Sequence, residues 1–432
     1  MVGISTVSAL AAVARIHCHS DLYDELLMSG SEHPYIGRTA SGTRPQPAAA
    51  GKPGRDRELP LPFYGILIFA GIRVLSLASA AFLLPRGKFR ELHYSLLGLI
   101  KSWDSGRYVI IAFHGYSYVP GDIRHDSIFA WFPGYPAAIR AVVWVSGAGA
   151  IGAGLGVTIA AGLAAAWGLT RLGMTLTGDR RVSLLTTALW AAAPGSIALS
   201  MVYSEALFCA LATWCLVALT ERRWLTAAGL TVLAGTVRSS AQALIAAVTI
   251  AALLALIRAA RARQPVAAWW RPAVALLLAP LGLLGYWGYV AWAVHQPGGW
   301  FWIEKNLHLG FDWGQSIWLA LKNGLIDHPT AFVILTLLVI AAAVMLALCS
   351  LTERLPAYVH AYTLAVVLIA LTAGPDFFGG KPRFLLPAVL LGLPLARLLA
   401  PARTWVLIPL IAMFAVASTW FGLYLMTVGW AP

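Results

Sequence analysis

Charged residues are scarce in this sequence: Asp, Glu, Lys and Arg together make up 11% of its 432 residues. A soluble protein usually carries about 25%. Hydrophobic residues make up 59% of the chain, and the mean hydropathy is +0.75. A water-soluble fold could not bury this much apolar surface, because its polar residues are too few to cover it. We therefore expect an integral membrane protein, with the bilayer as its main solvent.

Cysteine is also rare. The four cysteines are Cys18, Cys209, Cys215 and Cys349, three of them inside apolar runs, and no two have C-x-x-C spacing. This pattern disfavours a disulfide framework and a structural zinc site. The sequence also lacks a GxxxxGK[ST] phosphate-binding loop and a GxGxxG turn after a strand, which disfavours a cytosolic nucleotide site.

Other metal and nucleic-acid sites are not expected either. His114 and His125 lie close to two aspartates in one loop, but such spacings often arise by chance, so we predict no metal. The formal net charge of +13 comes from Lys and Arg in short connections between apolar runs. Membrane topology and lipid headgroups explain this placement better than nucleic acid does, since the basic residues form no face interleaved with aromatic residues.

Long apolar runs predict the fold class. Eleven runs approach the length that spans a bilayer, so we expect an all-α polytopic protein with about 11 transmembrane helices. The second run is too long for one helix and is expected to begin with an interfacial piece. The runs are 62–85, 139–170, 183–200, 203–220, 224–237, 240–258, 272–295, 329–350, 356–373, 384–400 and 404–427.

The polar segments divide the chain. Residues 1–61 are predicted to form a disordered cytoplasmic tail, and residues 62–432 one transmembrane domain. Within that domain, residues 86–135 and 296–328 form two large loops. If the spans alternate, most short basic connections fall on the side of the tail, which the positive-inside rule makes cytoplasmic. Both large loops are then extracytoplasmic, although the first also carries basic residues.

Three charged residues in or near these outer segments could form a site. Asp104 follows Trp103 and could accept a proton or simply pair with Arg107 as an ordinary surface carboxylate. Glu205 could face a cavity or only complement the dipole of a helix start. Arg238 lies between two apolar runs, where an arginine requires a cavity or a partner.

The segment "GGKPRF" supplies two more cations. Lys381 and Arg383 stand just before a predicted helix and could hold a phosphate, or serve as interfacial anchors.

Several segments together resemble the PIG-V type mannosyltransferases, including their bacterial relatives. "WDSGRYVIIAFHGY" with "FAWFPGYPAAIR", then "APGSIALSMVYSEALFCAL", "LAGTVRSSAQAL" and "KPRFLLPAVLLGLPLA" follow the motifs and the order of that family. They span residues from about 65 to 400. In the third segment the chain departs from the family pattern: Val237 separates Thr236 from Arg238, and Ala241 or Gln242 stands where glycine is common.

The resemblance implies a GT-C fold and a mannosyltransferase in the bacterial plasma membrane, with its active site on the extracytoplasmic side. The donor would be polyprenyl-phosphate mannose, the acceptor a hydroxyl of a glycolipid or glycan, and no metal or other cofactor would be needed. Asp104 would be the catalytic base. The expected substrate-binding residues are Trp103, Arg107, Tyr108, Tyr203, Glu205, Arg238, Lys381 and Arg383.

Two other functions remain open at this point. A GT-C transferase for another sugar, such as glucose or arabinose, would differ only in the shape of its pocket. A lipid or polyol transporter would need a binding site near the bilayer midplane, broken helices and often an internal repeat. The sequence shows no clear repeat, and its charged residues gather at one surface.

Overall fold

A computed structural model of the protein describes residues 59–92, 94–117, 127–307, 310–327, 330–372 and 374–428. The predicted N-terminal tail, apart from its last three residues, lies outside these ranges. Helices are the regular elements of the described ranges, as expected where hydrocarbon leaves backbone groups no partners except one another.

The described residues form eighteen α-helices, joined by 3₁₀ turns and one π-helical stretch at Ala320–Asp327. In chain order the α-helices are α1 Leu61–Leu83, α2 Leu96–Ile100, α3 Asp104–His114, α4 Gly134–Ser146, α5 Ala150–Thr177, α6 Arg180–Ala191, α7 Glu205–Thr220, α8 Trp224–Gly235, α9 Ala241–Arg261, α10 Trp270–Leu278, α11 Leu281–Ala293, α12 Gly299–Asn306, α13 Gln315–Leu319, α14 Ala331–Ser350, α15 Ala357–Thr372, α16 Lys381–Phe384, α17 Leu393–Leu399 and α18 Thr404–Thr427.

In the described part of the chain, six helical segments are long and apolar enough to cross a membrane. They are Leu61–Leu83, Ala150–Thr177, Ala241–Arg261, Val266–Ala293, Ala331–Ser350 and Thr404–Thr427. The helices α7, α8 and α15 are apolar but shorter. The predicted count of eleven spans is therefore not confirmed, although the all-helical membrane class is.

Of the five predicted spans that are not confirmed, three are the shorter helices α7, α8 and α15, and the other two are interrupted by proline and glycine. The apolar run 183–200 holds α6 only as far as Ala191, and Pro194 and Gly195 then lead into a 3₁₀ turn. In the run 384–400 only α17 is helical, because prolines lack the N–H that continues a helix. The run 139–170 divides at Gly147–Gly149 into α4 and α5, so its initial piece is separate, as expected.

Small residues allow the central helices to pack closely. Helix α5 contacts α1, α7 and α6, and its buried positions are mostly Ala, Gly and Thr. A Cβ on Gly162 would lie 2.5 Å from the Phe69 ring of α1, so only glycine permits that contact. Close backbone approach of this kind is typical of helix packing in membranes, where dispersion contacts replace the hydrophobic effect.

Arg73 lies buried within α1, where an unpartnered charge would be costly. Its guanidinium donates to the carbonyls of Ala191 and Ser196, at the end of α6 and the turn that follows. The carbonyl of Ala191, in the last turn of α6, has no later helical N–H to bond to. Arg73 therefore joins α1 to the break after α6 and has a structural role.

The two ends of α7 belong to different faces of the molecule. At its C-terminal end Glu221 forms an ion pair with Arg171, and nearby Arg181 donates to the carbonyl of Ala402 at 2.8 Å. The connections that contain Arg181, Glu221 and Ala402, each of which carries basic residues, thus lie on one face. Glu205 begins α7 at the other end, about 24 Å away for a helix of this length. The candidate site lies at that end.

Candidate active site

Four of the predicted site residues form one ionic cluster. Arg383 Nη1 lies 2.9 Å from Asp104 Oδ2, and Arg383 Nε lies 3.3 Å from Glu205 Oε1. Arg238 Nη1 lies 2.7 Å from the same Glu205 oxygen. Two arginines and two carboxylates therefore alternate, and their formal charges cancel. Residues separated by 279 positions in the sequence meet here.

Burial differs within this cluster. The side chains of Glu205 and Arg383 are 1% and 5% exposed, whereas that of Asp104 is 20% exposed. Burial alone would lower the pKa of Arg383, but the carboxylates of Asp104 and Glu205 raise it above its ordinary value. Arg383 is therefore a permanent cation. Of the two carboxylates, Asp104 is the one that a substrate can reach.

An unusual backbone conformation positions Asp104. Trp103 immediately before it has φ 54° and ψ −121°, a combination that non-glycine residues rarely adopt. This turn places Asp104 at the first position of α3, and its backbone N–H donates to Tyr203 Oη at 3.4 Å. The Trp103 side chain is 43% exposed and does not line the cavity described below.

A hydroxyl pair supports the cluster. Arg238 Nη1 donates to Ser204 Oγ at 3.1 Å, and Ser204 Oγ shares a 2.8 Å hydrogen bond with Tyr108 Oη. Burial raises the pKa of both Tyr108 and Tyr203, so both phenols stay protonated. The Tyr203 ring also lies against the Arg383 guanidinium, 5.1 Å from ring centre to carbon. Ser204 was not among the predicted site residues, although it stands between Tyr203 and Glu205 in the segment "APGSIALSMVYSEALFCAL".

Two predicted residues lie apart from this cluster. Lys381 is fully buried, and its Nζ donates to the carbonyls of Ala370 and Leu371 at 3.3 and 3.0 Å, in the last turn of α15. Burial lowers its pKa to about 8, and Asp312 partly opposes that shift. The Arg107 guanidinium lies over the Trp131 ring at 5.3 Å. Neither residue lines the cavity, so their predicted substrate contacts remain predictions.

A cavity of about 490 Å³ opens beside the ionic cluster. Asp104, Arg238 and Arg383 line it, and so do Glu304 and Lys305 of α12. The second large loop thus contributes directly to the site. Residues 296–328 were predicted to be an extracytoplasmic loop, but no site residue was predicted there.

A second, apolar groove of about 500 Å³ lies on the other side of α16. Residues of α6, α14 and α18 form its walls, together with the segment 382–395. Within α16 and just after it, Pro382 and Leu385 face the groove while Arg383 and Phe384 face the cavity. A single turn of helix therefore separates an apolar groove from a charged site.

Metal ligands are not grouped in the described ranges: no three His, Cys, Asp or Glu side chains lie where they could share an ion. Of the histidines and aspartates weighed in the sequence, His125, Asp122 and Asp126 fall outside those ranges. Independence from metal therefore remains a prediction.

Gly195 fixes the position of Arg383. Its φ is +82°, and a Cβ built on it would lie 2.9 Å from the Arg383 backbone. We expect Gly195→Ala to destabilise the protein by roughly 1–3 kcal/mol, from the strained conformation and the contact together, measured as a lower thermal midpoint in detergent. Gly178→Ala is the matched control, since Gly178 has φ +67° but no neighbour within 4 Å. Equal midpoints for the two variants would show that the contact with Arg383 is unimportant.

Comparison with known proteins gives two findings. The model of the family described as Mannosyltransferase (PIG-V) matches residues 74–354. The crystal structure of ArnT from Cupriavidus metallidurans bound to undecaprenyl phosphate is similar to the chain, with a TM-score of 0.52 and 13% sequence identity. The alignment covers 85% of this chain and 78% of ArnT. None of the curated proteins compared with the chain matches it.

The structural likeness confirms the predicted GT-C fold. The alignment covers 85% of the chain, so the likeness extends beyond the short segments that carry the family motifs.

Proposed function

Because the chain belongs to the PIG-V mannosyltransferase family and is therefore a membrane glycosyltransferase, we propose that it transfers mannose from polyprenyl phosphate to a hydroxyl of a glycolipid or glycan. The ion pair between Asp104 and Arg383, at the mouth of a cavity, carries this proposal. It joins a proton acceptor to a phosphate-binding cation, and glycosyl transfer from a phosphate needs both.

The reaction begins with the acceptor hydroxyl against Asp104. The hydroxyl oxygen attacks the anomeric carbon, the bond from that carbon to the phosphate oxygen breaks, and the hydroxyl proton passes to the Asp104 carboxylate. Polyprenyl phosphate leaves with one additional negative charge. Attack from the face opposite the phosphate inverts the anomeric configuration, so a β-linked donor yields an α-mannoside.

The ionic cluster couples these changes in charge. In the resting site Arg383 is neutralised by Asp104 and Glu205. When Asp104 accepts the proton it loses its charge, so Arg383 becomes available to the phosphate as that group gains charge. Arg238 is 15% exposed and lies near enough to assist. An arginine can hold two phosphate oxygens at once, which also orients the leaving group.

The apolar groove suits the polyprenyl chain of the donor. It begins at Pro382 and Leu385, one residue to either side of the Arg383–Phe384 pair that faces the cavity. A phosphate held by Arg383 would therefore have its hydrocarbon chain beside an apolar surface. An apolar wall makes no directional contacts, so the groove can hold any hydrocarbon chain, and a longer chain makes more contact with it.

We also propose that the cavity opens to the extracytoplasmic side of a bacterial plasma membrane. The cluster lies at the end of α7 opposite the basic connections around Arg171 and Arg181. By the positive-inside rule those connections are cytoplasmic. Substrates of this face would be lipid-linked, since soluble sugar nucleotides are cytoplasmic compounds.

A transfer assay tests the function. The full-length protein, reconstituted in vesicles, is given radiolabelled polyprenyl-phosphate mannose and a bacterial membrane extract, and label in glycolipid and glycan is measured. We expect transfer from mannose donors in preference to glucose or arabinose donors, better use of long-chain than of short-chain donors, and unchanged rates in EDTA. Preferential transfer of another sugar would overturn the mannose assignment. No transfer from any lipid-phosphate sugar would overturn the donor class.

A further inference from the structure

Glu304 is the one acidic residue lining the cavity that belongs to no ion pair or side-chain hydrogen bond in the described ranges. It lies in α12, is partly buried, and burial raises its pKa to about 8. Asp104, by contrast, is held by Arg383. A carboxyl group that is partly removed from water and has no partner costs stability. Its presence on a cavity wall therefore suggests a function.

The surroundings of Glu304 are aromatic. Trp300 stands one helical turn earlier on the same side of α12, and Phe301 and Phe311 also line the cavity. The rings of Phe301 and Phe311 are about half exposed. A sugar ring has apolar C–H faces that pack on such rings and a rim of hydroxyls that donate to a carboxylate. An aromatic wall with one acceptor matches that chemistry.

Charge divides the cavity between the parts of a sugar phosphate. The phosphate belongs with the two arginines, Arg238 and Arg383, and the uncharged sugar belongs with Glu304, which offers hydrogen bonds but no positive charge. Neighbouring Lys305 also lines the cavity and adds no second acceptor. A single carboxyl among aromatic rings is also a poor cation site, because hard cations take six or more oxygen ligands.

We propose that Glu304 accepts hydrogen bonds from hydroxyl groups of a substrate sugar and so helps to select which sugar is transferred or receives the transfer. This inference rests on the proposed transferase function. Glu304 is a specificity-determining residue in this account, and Asp104 remains the group that accepts the reacting proton.

The experiment compares wild type, Glu304→Ala and Glu304→Gln in the vesicle assay. We expect Glu304→Ala to lower kcat/KM by about 10- to 100-fold, the effect of leaving a substrate hydroxyl in the cavity without its hydrogen-bond partner. Asp327→Asn is the matched control, because Asp327 is an exposed carboxylate of the same loop that lines no described cavity. Thermal midpoints in detergent establish whether each variant is folded.

Deoxy donors give the sharper measurement. Each variant is assayed with donors that lack one sugar hydroxyl at a time. If Glu304 binds the donor sugar, wild type transfers one or two of these analogues more slowly than the complete donor. Glu304→Ala should transfer those same analogues as fast as it transfers the complete donor. This non-additivity is the mark of a direct contact. A structural role would instead lower the rate equally for every donor.

The assay also distinguishes donor from acceptor. If Glu304 binds the acceptor, no deoxy donor shows this coupling, and Glu304→Ala needs about 10-fold more membrane extract for half-maximal transfer. Wild-type activity in folded Glu304→Ala, or an equal loss with all donors and no change in half-saturation, overturns the inference. An inactive wild type would instead count against the proposed function, so the two failures are distinct.

Discussion

Asp104→Asn should lower the rate of sugar transfer by about 10²- to 10⁴-fold, the usual contribution of a positioned proton acceptor. Asparagine has nearly the same shape but cannot accept the proton of the attacking hydroxyl. The measurement is the initial rate at saturating donor, so that a loss of binding alone does not imitate a loss of catalysis.

The same variant should remain folded. Asp104 is 20% exposed, and removing its charge leaves Arg383 paired with Glu205, so no buried cation is stranded. We therefore expect a thermal midpoint close to that of wild type. Asp327→Asn again serves as the control for removing an exposed carboxylate from an outer loop. Full transfer by a folded Asp104→Asn protein would remove Asp104 from the mechanism.

Arg383→Met should abolish transfer and also destabilise the protein by about 3–5 kcal/mol. Its guanidinium is 5% exposed and contacts both carboxylates of the cluster. Methionine fills much of the space but leaves Asp104 and Glu205 with Arg238 as their only cation in the described cluster. The expected loss of stability comes from the charge left uncompensated, and the loss of transfer comes from the missing phosphate contact.

A double variant separates these two effects. Adding Asp104→Asn to Arg383→Met removes the uncompensated carboxylate, so we expect part of the thermal stability to return while transfer stays absent. Arg397→Met is a matched control, because Arg397 pairs with Glu353 while 49% exposed. Exposed pairs of this kind contribute about 0–1 kcal/mol. Recovery of transfer in the double variant would contradict a phosphate-binding role for Arg383.

The transmembrane segments show where hydropathy succeeds and where it misleads. Summed hydrophobicity located every apolar segment, yet it counted the runs 183–200 and 384–400 as spans although neither forms one continuous helix. Hydropathy does not register that proline removes a backbone donor or that Gly195 takes φ +82°. The same interruptions of the helices place Arg383 beside Asp104, so the candidate site lies at the irregular segments.

Lys381 and Arg383 show that a shared motif does not determine what each of its side chains contacts. They are two residues apart in "KPRF", and phosphate binding was predicted for both. In the structure Arg383 enters the ionic cluster, whereas Lys381 donates to the carbonyls that end α15. Residues two apart on a helical turn face different directions, and only the position of the neighbouring helices determines what each one meets.

The sequence by itself determined the solvent, the helical class and the family, because hydropathy and linear motifs are properties of neighbouring residues. It also required partners for Arg238, since a charge at membrane depth cannot remain alone. Only the tertiary structure decided which partners these are, and it placed Glu304 on the wall of the same cavity. Both outcomes depend on helices far apart in the chain, whose packing follows from shape at close range and leaves no periodic signal in the sequence.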